Sequence, residues 1–86
     1  MIRQDFATAV NLLTKAQELS PHHRGIQKAL GYSALWNGDM EKAVTLLSTK
    51  PEAEYELLDY IGWWPRHGKP ELGTRASEAL QILQDS

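Results

Sequence analysis

Apolar residues return every three or four positions along most of this chain, and proline or glycine interrupts each run. Ile2, Phe6, Ala9, Leu13 and Ala16 mark one face of a first helix, with Val10, Leu12 and Leu19 as a second strip. Ser20-Pro21 ends it, because proline lacks a donor and restricts the residue before it. Ile26, Ala29, Leu30, Ala34 and Leu35 predict a second helix from about Arg24 to Asn37, with Gly38 where a left-handed terminal residue belongs. Asp39 is placed to cap a third, short helix carrying Met40, Ala43, Val44 and Leu47, which Lys50-Pro51 interrupts.

A fourth helix is predicted over about Glu52 to Trp64, dense in Tyr55, Leu57, Leu58, Tyr60, Ile61, Trp63 and Trp64 and closed by Pro65. Its polar side is acidic through Glu52, Glu54, Glu56 and Asp59. Pro70 suits the first position of a fifth helix whose stripe is Leu72, Ala76, Leu80 and Leu83. No segment alternates with period two, so the expected class is all-α, with residues 1–86 as one helical domain.

Composition narrows the function classes. With 86 residues, 42% of them apolar, the core is small and a partner's contribution to burial matters. A net charge of -2 without a Lys/Arg run argues against nucleic acid, which needs a concentrated basic face. There is no cysteine, hence no disulfide framework or thiol nucleophile. No stretch approaches the about 18 apolar residues of a membrane span, and MIRQDFATAV lacks the apolar run of a signal peptide, so a cytoplasmic protein is expected.

Candidate chemistry is sparse. His22, His23 and His67 fall in two loops without a carboxylate at ligand spacing, so turn and helix-start roles outweigh metal binding. Glu56 and Asp59 lack a histidine, serine or metal partner, and Gly68-Lys69 is not a phosphate loop. No enzyme, cofactor or metal is expected. Trp63 and Trp64 point about 100° apart on a helix, so one should be exposed; Trp64 is placed in the core and Trp63 nearer the surface, with the reverse assignment left open by the sequence.

Self-comparison at fixed offset adds architecture. Ala9, Leu13 and Ala16 stand 34 residues before Ala43, Leu47 and Lys50. With Leu30-Gly31, Ala34, Gly38-Asp39, Ala43 and Leu47, this pattern resembles the tetratricopeptide repeat, and AVNLLTKAQELSP resembles the second helix of a preceding repeat. After about residue 47 the chain departs from it: Pro51 arrives early, and aligning Trp64 needs a period of about 30, which puts Gly73 at the small position of the fifth helix. The resemblance implies a right-handed solenoid of helical hairpins, with Gly31 and Ala43 small so that two helices can approach.

It also implies a concave face for a partner peptide or helix, carried by Lys28, Tyr32, Leu35 and Trp36 and continuing through Leu58, Ile61 and Gly62 or Trp63. In that register Tyr32 and Trp36 belong to the groove and not to the hairpin core. GYSALWNGDMEKAV followed by a proline and an aromatic helix is similar to the small chaperones of bacterial type III secretion that hold needle subunits. Those accept an amphipathic C-terminal helix and pack a second small helical protein on their N-terminal helices. Ile2, Phe6 and Val10 are then an assembly face, since a first helix without its antiparallel mate leaves a strip among Ile2, Phe6, Val10 and Leu12 uncovered. A self-associating scaffold, pairing that helix with its copy in a homodimer, is the alternative.

Overall fold

The computed structural model describes residues 6–85, which form five helices and, among those residues, no strand. They are α1 (Phe6–Leu19), α2 (Arg24–Trp36), α3 (Met40–Leu47), α4 (Ala53–Arg66) and α5 (Pro70–Asp85). Each boundary has a local cause. His23 caps α2 through its ring, Nδ1 accepting from the Ile26 N–H at 3.2 Å. At the other end Gly38 takes φ +95°, which lets the Asp39 N–H turn back to the Ala34 carbonyl at 2.8 Å. Asp39 then caps α3, accepting from the Lys42 N–H at 3.2 Å. Pro65 does not close α4, as its position in the sequence predicts; the helix runs to Arg66 before Gly68, at φ +78°, reverses the chain. Pro70 opens α5, where a missing N–H costs nothing.

Adjacent helices pack in sequence, α1 on α2, α2 on α3 and α4 on α5, with smaller contacts of α5 on α2 and α3. The Cα extents of 37 × 35 × 17 Å make a slab about two helices thick. This is the all-α stack of helical hairpins that the period implies.

Small residues set the close approaches. A side-chain carbon on Gly31 would lie 3.0 Å from Leu47 and 3.3 Å from Leu46, so α3 comes against Gly31 closely, and Ala43 on the same short helix is itself fully buried. Gly73 plays the same part in the second hairpin, where that carbon would lie 3.1 Å from the Pro65 ring and 3.2 Å from the Ile61 carbonyl. The core runs from Leu30, Leu35, Ala43 and Leu47 through Ala53 and Leu57 to Trp64, Leu72, Ala76 and Leu80. Leu35, expected in an open groove, is fully buried and faces no solvent.

Candidate functional site

The backbones of α2 and α4 stand apart, and long side chains bridge the space at one constant separation in sequence. Arg24 pairs with Glu52 and Lys28 with Glu56, each at 3.0 Å and each 28 residues apart. Further along, the Tyr32 ring lies 5.2 Å from Tyr60, and the Trp36 ring 5.1 Å from Trp64 and from Tyr60. Because α2 and α4 run in the same direction, Arg24, Lys28, Tyr32 and Trp36 form one stripe at helical spacing that meets the stripe Glu52, Glu56, Tyr60 and Trp64 rung by rung. Charge pairs occupy the N-terminal end and rings the C-terminal end. Thr14 and Lys42 meet at the same separation of 28 between α1 and α3.

At the junction of the two halves the Tyr32 hydroxyl donates to Glu56 Oε1 at 2.9 Å, while Lys28 holds the other oxygen. Burial, then the hydrogen bond to Glu56 and that carboxylate's charge, raise the Tyr32 pKa far above its ordinary value. Trp64 is buried, with its Nε1–H unpartnered among the described residues, and Phe6 meets it edge-on at 6.5 Å. Arg75 from α5 donates to the Trp36 carbonyl and so fastens the end of α2.

This geometry corrects much of the implied groove. Tyr32 and Trp36 are 9% and 7% exposed, consumed by the rings of α4 instead of standing open for a partner. Lys28 is half-buried in its pair with Glu56, and Ile61 packs on the core with its carbonyl against Gly73. Only Leu58 (55% exposed), Gly62 and Trp63 (39%) of the expected groove face water, joined by Tyr55 (75%) on the same helix. Trp63 stacks on His67 at 3.8 Å while Trp64 turns inward, so the structure settles which of the two adjacent rings is exposed.

The assembly face is corrected too. Ile2 lies outside the described residues, and Phe6 and Val10 are partly buried against the core of this same chain, so they do not form an open strip. The large exposed apolar residues of α1 are Leu12 and Leu19. The acidic side of α4 is divided: Glu52 and Glu56 are spent on α2, whereas Glu54 and Asp59 face solvent.

The ladder was present in the sequence as two matching stripes 28 residues apart, Arg-Lys-Tyr-Trp and Glu-Glu-Tyr-Trp at four-residue steps. A search for the 34-residue period passes over it. Among the described residues no cluster of His, Asp or Glu could hold a metal ion, and no helix is long and apolar enough to cross a membrane.

Neither the curated proteins nor the solved structures yield a match to this chain. The tetratricopeptide repeat family matches residues 1–57, two thirds of the sequence, spanning α1 to the start of α4 and the helical hairpin built on Gly31. The chain belongs to the tetratricopeptide repeat family.

Proposed function

We propose that this chain is a non-catalytic protein-interaction module, an adaptor or chaperone, that takes an amphipathic helix of a partner on the outer side of α4. The observation that carries this reading is the contrast across one helix. The inner side of α4 is sealed through Leu57 and Trp64, while Tyr55, Leu58 and Trp63 are offered to water. Large exposed aromatic and aliphatic residues on one helix are the anchors from which helix-binding surfaces are made. Gly62 lies in line with Leu58, and a side-chain carbon there would meet only the Arg66 guanidinium, at 3.7 Å, so a partner backbone can come close. Glu54 and Asp59 flank the apolar residues, which favours a partner helix with basic edges.

Photo-cross-linking from position 59 in the native cell tests this reading. A discrete protein adduct is expected, absent from a control cross-linker at Glu78 and lost in a Tyr55→Glu/Leu58→Glu variant that melts like the parent. An adduct that persists in that variant, or equal labelling from both positions, refutes the α4 surface. A needle-subunit chaperone of type III secretion is the narrower form of the proposal, and it requires the adduct to be a small protein with an amphipathic C-terminal helix.

A self-associating scaffold is the second reading, supported by α1, which buries no residue and exposes Leu12 (62%) and Leu19 (87%). Light scattering separates the two: a homodimer that Leu12→Glu/Leu19→Glu converts to a monomer supports the scaffold, and a parent monomeric at high concentration rules it out.

A further inference from the structure

Away from the exposed side of α4, the start of α2 borders a cavity of about 120 Å³ lined by Arg24, Gly25, Lys28, Lys50 and Glu52. Three of these five residues are cations. Lys50 is only 4% exposed, and its ammonium donates to two neutral oxygens, Gln27 Oε1 at 2.6 Å and Thr49 Oγ1 at 2.8 Å. Among the described residues no carboxylate lies within 4.0 Å of it, the reach of an ion pair. Glu52 and Glu56 are committed to Arg24 and Lys28, so the charge of Lys50 is the one left uncompensated on the cavity wall. A buried ammonium without a counter-charge is costly, and it stands at a position whose counterpart 34 residues earlier is Ala16. Hairpin packing alone therefore gives no reason for a cation there.

We propose that this cavity is an oxyanion site that takes a doubly charged tetrahedral group, phosphate or sulfate. The volume admits a small anion. The lining residues carry donors for its oxygens, namely the Lys50 ammonium, the guanidinium N–H groups of Arg24 that Glu52 does not use and the first backbone N–H groups of α2 at Arg24 and Gly25, against the one carboxylate of the wall, Glu52, which Arg24 holds. A planar, singly charged carboxylate offers two oxygens and half the charge to the same wall. The positive end of the α2 dipole adds to the cationic wall and does not create the site alone.

Thermal melts of the intact chain at constant ionic strength, with chloride replaced stepwise by inorganic phosphate, sulfate or acetate, test the assignment. Phosphate and sulfate should raise Tm along a saturating curve, and acetate should not. General salting by sulfate rises without saturation and survives mutation, which distinguishes it. Lys50→Met should weaken the apparent phosphate affinity about tenfold or more, the effect of losing one charge-assisted contact. If that variant fails to fold, Arg24→Gln/Lys28→Gln, changed at partly exposed side chains, should show a loss of similar size. A linear response, equal responses to acetate and phosphate, or folded variants that keep the parent affinity would overturn the site.

Discussion

Of the helices that meet α2, two, α4 and α1, are held in different ways. α4 inserts Leu57 and Trp64 beyond the reach of water and closes a ladder of ion pairs and rings, whereas α1 lies on α2 without burying one residue completely. Phe6 and Val10 touch the core from its edge, and Leu12 and Leu19 point away. An apolar face on a helix shows that something can cover it. How firmly the helix is held depends on how many side chains leave water altogether, because stabilisation follows the area removed.

The sharpest way to break this contrast is at the ring end of the ladder. Trp36→Ala should cost roughly 3–5 kcal/mol, a large share of the stability of a domain this small, and should abolish or greatly lower the cooperative melt read by circular dichroism. If helicity and melt survive, Trp36 is a surface residue after all and the ladder is not what joins α4 to α2.

Tyr32→Phe should cost less, about 1 kcal/mol at neutral pH, since Glu56 is partly exposed and keeps Lys28. Its signature is in the pH dependence. The folded chain holds the Tyr32 proton more tightly than the unfolded chain, whose tyrosine titrates near its ordinary value of about 10. The contribution is therefore complete below about pH 10 and declines as pH rises above it. Denaturant melts from pH 8 to 11 should show the parent losing stability faster than Tyr32→Phe; parallel curves would place the hydroxyl in water.

Smaller still is the charged end. Arg24 and Glu52 are exposed enough that Arg24→Gln should change stability by less than about 1 kcal/mol, with the difference shrinking in high salt. On α1, Leu12→Ser/Leu19→Ser should leave the monomer melt within about 0.5 kcal/mol of the parent. A large loss there would mean that α1 is seated as firmly as α4.

Much of the fold was legible, because its signals are local. Pro21, Gly38, Pro51 and Pro70 punctuate the chain whatever surrounds them, and the recurrence of Ala9 and Leu13 as Ala43 and Leu47 exposes the hairpin architecture. The site was less legible. Periodicity shows that Tyr32 and Trp36 share a side of α2, but a tyrosine and a tryptophan one turn apart serve equally well to grip a partner or to grip α4. What decides between these is the short third helix, ended by Pro51, which changes the spacing between α2 and α4 and sets Tyr60 and Trp64 on the α2 stripe. Leu58 and Trp63 kept the exposure that the family register implies because they lie off that stripe. Lys50 reads in the sequence as the end of a helix, and only the packed chain reveals that its charge is buried against neutral oxygens, without a counter-charge.

Native-state hydrogen exchange, read helix by helix, tests the central contrast most directly. If the ladder holds α4 while α1 rests on the edge, interior amides of α2 and α4 should exchange only through global unfolding, with the full denaturant dependence of the melt. Amides of α1 should exchange faster, through a local opening that denaturant affects little. Equal protection and equal denaturant dependence across α1, α2 and α4 would contradict the account, because they would show one cooperative unit with α1 held as tightly as the ladder.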